Sequence, residues 1–187
     1  MFGANRELSL RLFRYGWNND SFAGDVEYLA TIAEYAAQTD GPILECGSGI
    51  STIILSLACR TEVWALEHIE EWCGSVRKAC ESSGLRNVKV VHAPLCDYGN
   101  FHWYSVPECL PPRFSLVICD GPPGTTVGGR YGLLPLMRHR LEAGAKILLD
   151  DAEREDEQRV LKSWQAGFSV GVETTSGHKG SLAIVTV

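Results

Sequence analysis

The sequence predicts an α/β fold: a seven-stranded, mostly parallel sheet with helices on both faces and an antiparallel C-terminal hairpin. Three observations carry that expectation. Short apolar runs recur down the chain, bounded by glycine, proline or polar turns, and segments of helical period separate most of them. Five β-then-α units arise in this way, and right-handed crossovers make their strands parallel. The last two apolar runs leave no room for a helix between them, so they should pair antiparallel.

The elements follow in order. Residues 1–20 set Leu8, Leu10, Leu12 and Phe13 among arginines and read as a short helix and a loop. From Asp25 to Ala37, the positions Val26, Leu29, Ile32, Ala33 and Ala36 keep helical spacing, and Asp40-Gly41-Pro42 stops the helix. Residues 1–40 are thus expected to form a helical segment covering the core of a single domain that spans 1–187. A strand over 43–46 leads to a helix over 51–59, and a strand over 62–66 to a helix over 70–82 closed by Ser83-Gly84. After a strand over 88–92, residues 94–112 hold four of the eight prolines and read as an irregular connection. Phe114 to Cys119 is a continuous apolar run, as in a strand buried on both faces. Residues 121–129 form a glycine- and proline-rich loop, followed by a helix over 131–141 that Gly144 ends. A strand over 146–149, a polar helix over 153–165, a strand over 168–172, a turn over 174–180 and a strand over 182–187 complete the chain.

Composition narrows the partners. A net charge of −6 argues against nonspecific binding to nucleic acid or an anionic membrane. No run of about 18 apolar residues is present, and the N-terminus lacks a signal-peptide layout. The seven cysteines are odd in number and show no C-x-x-C, so neither a disulfide framework nor a zinc pattern is expected. Cytoplasmic residence fits this cysteine usage.

The most informative stretch is Ile43 to Thr52. A buried strand enters a turn with Gly47 and Gly49 one residue apart, and a helix starts at once. Glycine lets the backbone approach a ligand with no Cβ in the way. Twenty residues after Gly47, Glu67 ends a second apolar run, at the distance where such folds hold ribose hydroxyls. These features predict a nucleoside-cofactor site. A dinucleotide fingerprint wants a third glycine where Thr52 stands, which weakens a nicotinamide or flavin reading. Glu45 would repel a pyrophosphate but could hold an ammonium. S-adenosylmethionine carries an ammonium, a sulfonium and a ribose, and no phosphate.

With these residues in place, the chain resembles the class I S-adenosylmethionine-dependent methyltransferases, whose fold is Rossmann-like. It looks like a small bacterial group within them that reads L-E-x-G-S-G-x-S-T, a strand ending in E-H, D-G-P-P and L-D-D-A-x-R. Here these blocks are Leu44 to Thr52, Glu67-His68, Asp120-Gly121-Pro122-Pro123 and Leu149 to Arg154. The resemblance implies that Glu45, Gly47 and Gly49 shape the methionine pocket, and that Ser48, Ser51 and Thr52 beside them also bind the cofactor. It implies that Glu67 binds the ribose, that His68 flanks the adenosine, and that Ala93-Pro94 lies near the adenine. Many members place an acidic residue at the adenine; here backbone groups or Asp97 would have to serve. Trp72 either covers the adenosine or packs.

Open α/β sheets hold ligands outside the carboxyl ends of their strands. Asp120 follows one expected strand, and Asp150-Asp151 follows the next. These three should converge near the transferred methyl, with Asp120 also touching the cofactor. Three roles compete. Asp120 and Asp151 match the aspartates of a catechol-type Mg²⁺ site, although Ala152 stands where that pattern has asparagine. Close carboxylates also raise one another's pKa and leave one fit to act as general base. Finally, one of Asp150 and Asp151 could cap the following helix. Arg130 is read as a catalytic candidate that closes over substrate from the loop and pairs with a carboxylate or phosphate. His102-Trp103-Tyr104 lines or underlies an entrance.

The expected activity is S-adenosylmethionine-dependent methylation of an oxygen, or a nitrogen, on a small molecule or glycan precursor. A homodimer that completes the pocket is a further expectation. The rivals are an NAD(P)-dependent oxidoreductase and a non-catalytic S-adenosylmethionine-binding module.

Overall fold

The computed structural model describes residues 26–176 and 181–187. The short helix expected within 1–20, and residues 177–180 of the expected turn, lie outside them. In chain order the elements are α1 (Val26–Gln38), β1 (Ile43–Cys46), α2 (Ile50–Ala58), β2 (Val63–Glu67), α3 (Glu70–Ser82) and β3 (Val88–His92). Then come β4 (Leu95–Asp97), β5 (His102–Tyr104), β6 (Phe114–Cys119) and α4 (Leu133–Met137). A 3₁₀ turn over Arg138–Arg140 leads to β7 (Leu141–Leu149), α5 (Glu155–Gly167), β8 (Gly171–Ser176) and β9 (Ser181–Thr186).

The main sheet has seven strands in the order β3-β2-β1-β6-β7-β9-β8. β3, β2, β1, β6 and β7 run parallel, whereas β9 pairs antiparallel with both β7 and β8. This is the mostly parallel sheet with an antiparallel terminal hairpin that the sequence predicts. Side chains alternate across it. On β1, Leu44 and Cys46 join the core formed with Trp103, Met137, Leu161 and Trp164, while Ile43 joins the opposite core with Leu29, Ile32 and Ile54 of α1 and α2. Burial on both faces is what requires the near-continuous apolar runs.

Register positions the site. Cys46 is level with Leu66 on β2 and Cys119 on β6, and Cys119 with Leu149 on β7. The residues that follow these four, Gly47, Glu67, Asp120 and Asp150, therefore stand in a row along the carboxyl edge of the sheet. Four separate sequence blocks meet there because pairing aligns their strand ends.

Three expectations need correction. The stretch 94–112 is not wholly irregular, since β4 and β5 form an antiparallel hairpin in register Leu95↔Tyr104. Its turn is local chemistry: Gly99 at φ +91° donates its N–H to Asp97 Oδ1 at 2.7 Å. The helix over 131–141 is shorter, and β7 begins at Leu141. Gly144, at φ +80°, lies inside that strand, where the pairing shifts between Phe114↔Leu141 and Leu116↔Lys146. β8 runs from Gly171 to Ser176, later than the expected 168–172. Among the described residues, no helix is long and apolar enough to cross a membrane.

Candidate active site

Gly47 takes φ +89°, and a Cβ there would stand 3.2 Å from the backbone nitrogen of Gly121. At Gly121 a Cβ would lie 2.3 Å from the Tyr104 hydroxyl. These two glycines let the turns after β1 and β6 touch. Gly49 differs: its backbone is extended, and nothing lies within 4 Å of where its Cβ would be. The mouth of the glycine turn is thus open.

Behind that mouth, Thr52 fills the place of a third glycine. Its hydroxyl accepts from Gly49 N–H at 2.9 Å and donates to Glu45 Oε2 at 2.6 Å. One side chain so ties the start of α2 to the end of β1. Glu45 is fully buried rather than solvated at a strand end, and its Oε1 has no hydrogen-bond partner. Burial pushes its pKa up to about 8, with the Ser51 and Thr52 hydroxyls acting against the shift and Asp120 and Glu67 adding to it.

Glu67 is buried at the end of β2. Its Oε2 accepts from Ser48 N–H at 3.1 Å and Ser48 Oγ at 3.0 Å, and its Oε1 accepts from Ile69 N–H at 2.9 Å. His68 Nδ1 stands 3.1 Å from the same Oε1. Trp72 donates from Nε1 to Ser48 O at 2.8 Å, so α3 braces the glycine turn. Ala93 is buried, with its N–H on Glu67 O at 2.7 Å, and the exposed Pro94 follows. Asp97 does not turn toward the strand ends: its carboxylate is taken by the turn of the β4–β5 hairpin and its side chain is 70% exposed. His92, at the end of β3, is exposed.

Across the sheet edge, Asp120, Asp150 and Asp151 each offer a carboxylate oxygen within 4.8 Å of the others. The expected convergence is present. Asp151 holds φ +56°, a left-handed conformation that aspartate tolerates better than most residues. Neither of the pair caps α5, whose N-cap residue is Arg154 with no side-chain cap bond. Burial pushes the Asp150 pKa up to about 7, and the neighbouring Asp120 and Asp151 add to the rise. Asp120 is also raised, by burial first, with Arg130 opposing.

Arg130 is placed differently from expectation. Its side chain is 2% exposed and points inward instead of closing over a substrate. Nη1 donates to Asp150 O, and Nη2 to Asp120 O at 2.5 Å, Asp120 Oδ1 at 3.1 Å and Asp151 Oδ2 at 3.3 Å. Nε stands 3.6 Å from Oε1 of Glu157, itself buried on α5. Burial works against the guanidinium's charge, yet Asp120, Glu157 and Asp151 hold it protonated.

Two residues near the site, Glu157 and Tyr28, carry no site signal in the sequence. Glu157 shares its buried helix face with Val160, Leu161 and Trp164, a spacing that was there to be read. Tyr28 on α1 is buried; burial raises its pKa, and Asp120, Asp150 and Glu45 add to the rise, so it sits in their common field. Of the His102-Trp103-Tyr104 segment expected to line or underlie an entrance, Trp103 and Tyr104 are fully buried and underlie the strand ends, while the His102 side chain is 41% exposed. The Tyr104 ring meets His68 edge-on at 6.2 Å.

Divalent metal fits this arrangement poorly. The spacing of the three oxygens would admit an ion, but Arg130 already bonds to both aspartates of the expected pair, and Arg154 Nη1 lies 2.7 Å from Asp151 Oδ2. A doubly charged ion about 4 Å from one guanidinium meets a repulsion of about 8 kcal/mol at an effective dielectric near 20, as large as the attraction of one carboxylate at that distance. The buried Arg130 guanidinium, with the more exposed Arg154 beside it, therefore takes back a large part of the attraction that the carboxylates offer. What is left must strip water from a strongly hydrated ion.

No family model and no curated protein matches the chain. Solved structures do. An O-methyltransferase from Bacillus cereus in complex with SAH (S-adenosylhomocysteine) superposes with a TM-score of 0.73 at 16% identity, over 97% of this chain and 90% of that one. The O-methyltransferase TomG from Streptomyces achromogenes, in complex with SAM (S-adenosylmethionine), gives 0.68 at 14% identity over 97% and 88%. A precorrin-6y C5,15-methyltransferase from Geobacter metallireducens gives 0.64 at 18% over 90% and 92%. The chain shares their fold.

Proposed function

We propose that this chain is an S-adenosylmethionine-dependent methyltransferase, acting on an oxygen, or a nitrogen, of a small molecule or glycan precursor. One observation carries the reading. Glu45 is a fully buried carboxyl with an unpartnered oxygen, set behind an open glycine turn on β1, beside the strand β6 that leads into Asp120 of the carboxylate triad. A buried polar atom without a partner is costly unless a ligand completes it. A cationic amino acid moiety would do so; a pyrophosphate would not. The methyltransferases of like fold, crystallised with SAH or SAM, support the same assignment.

Bound S-adenosylmethionine would supply an electrophilic methyl on a sulfonium. The residues of the chain then divide the work. Glu45 holds the ammonium end. Glu67 receives ribose hydroxyls in place of the Ser48 hydroxyl, which is free to rotate. Asp150, whose pKa of about 7 suits it to accept a proton near neutrality, removes the proton of the acceptor hydroxyl as the nucleophile lines up with the methyl. The inward convergence of Asp120, Asp150 and Asp151 favours this reading over a non-catalytic binding module.

Calorimetric titration with SAH and, separately, with NAD⁺ tests it. Micromolar binding of SAH with none of NAD⁺ is expected. Tighter binding of NAD⁺ would move the assignment to an oxidoreductase. A companion variant isolates the pocket. Because a Cβ at Gly49 meets no protein atom, Gly49→Ala should leave stability within about 0.5 kcal/mol of the parent. It should still weaken SAH binding roughly tenfold or more, by overpacking worth about 1–3 kcal/mol. Equal SAH affinity in the two proteins would place the ligand elsewhere.

A further inference from the structure

We infer that Arg130 is the built-in counter-ion of the Asp120–Asp150–Asp151 cluster, and that it keeps a divalent cation out of the site, so that the reaction proposed above runs without metal. The inference rests on that reading and deepens it. Its basis is position. The guanidinium Nη2 is hydrogen-bonded to carboxylate oxygens of both Asp120 and Asp151, the two groups that would first be asked to ligate an ion. It is not a surface side chain that could swing away. Its two terminal nitrogens also bond to the carbonyl oxygens of Asp120 and Asp150, at the ends of β6 and β7, and Glu157 stands behind Nε. Leaving would break contacts to two strand ends and strand a buried carboxylate.

The surroundings point the same way. Arg154 adds a second cation on Asp151 Oδ2, and the buried Ala152 offers no side-chain oxygen beside the pair. Arginine suits this post because its planar fork bonds several oxygens at once and does not lose its proton. The cluster keeps an acidic group, Asp150, whose carboxylate is not bonded to Arg130, since only its backbone carbonyl is.

The test needs no acceptor. The full chain is titrated calorimetrically with MgCl₂ and with CaCl₂, and with SAH in the presence and absence of EDTA. No saturable heat is expected with either salt at millimolar concentration, and SAH affinity should not change with EDTA. Saturable binding of one Mg²⁺ per chain, abolished by Asp120→Asn, would overturn the inference. The double variant R130M/E157Q removes the cation together with the carboxylate it would strand, so it can fold where R130M does not. It should gain affinity for Mg²⁺ by roughly tenfold or more, since each 1.4 kcal/mol of relieved repulsion is one such factor. A folded double variant that still ignores Mg²⁺ would also overturn it. Failure of SAH to bind at all would count against the methyltransferase reading, while the Mg²⁺ titrations would still decide whether Arg130 excludes the ion.

Discussion

Replacing Arg130 with methionine is expected to cost the fold about 3–5 kcal/mol, a large share of a stability that is commonly about 5–15 kcal/mol for a domain. The size of the loss comes from what the guanidinium leaves behind. Two backbone carbonyls at the strand ends of β6 and β7 lose their donors. Glu157, 1% exposed, loses the only ion pair among the described residues that offsets its burial. Burial already raises the Glu157 pKa, with Arg130 acting against that shift. Without Arg130 the group should hold its proton to higher pH or destabilise the protein as a carboxylate. Glu157→Gln in the Arg130→Met background should therefore recover part of the loss, although the same change in the parent costs stability. Urea denaturation of the four proteins at constant slope measures the coupling. If Arg130→Met unfolds within about 0.5 kcal/mol of the parent, the size of an ordinary surface change, the clamp has no structural weight.

The same residue shows where a sequence stops being legible. The strands could be read because burial on both faces forces continuous apolar runs, as at Phe114 to Cys119. The glycine turn could be read because Gly47 needs a positive φ and close approach, which glycine meets best. Gly47, Glu67, Asp120 and Asp150 could be placed together because each ends or follows an apolar run, and pairing levels those ends, with Glu45 one residue inside the end of β1. Arg130 could not be read, since its position before α4 is compatible with either an outward or an inward side chain. Only the meeting of Asp120, Asp150 and Glu157 from three elements decides between them. The β4–β5 hairpin was missed for another reason. Its strands are three residues long, too short for a period-two pattern to stand out among prolines.

Glu45→Gln should have the largest effect on the cofactor, and the effect should depend on pH. In the free protein the Glu45 carboxyl has a pKa of about 8 against an ordinary 4.5, because burial disfavours its charge. Between those values the folded protein holds a proton that the unfolded chain has released. Stability must then fall as pH rises through that window, by at most about 1.4 kcal/mol per pH unit, and level off above it. Glutamine carries no such proton, so Glu45→Gln should flatten the curve and be the more stable protein near pH 8. Ligand binding reverses the balance. The ammonium of SAH beside Oε1 favours the ionised carboxylate, so binding below pH 8 must expel a proton. Apparent affinity for SAH should therefore rise from pH 6 to pH 8 by up to roughly tenfold per unit. The binding heat should vary with the ionisation enthalpy of the buffer. Asp120, Glu67, Tyr28 and Cys80 share the field of Glu45, but none supplies a cation that could replace the ligand's. In Glu45→Gln the charged hydrogen bond is gone, worth about 1.5–3 kcal/mol, and affinity should drop by roughly ten- to a hundredfold with the pH dependence removed. An SAH affinity that is flat in pH for the parent, or equal in the two proteins at pH 8, would mean that the buried carboxyl does not face the ligand's ammonium.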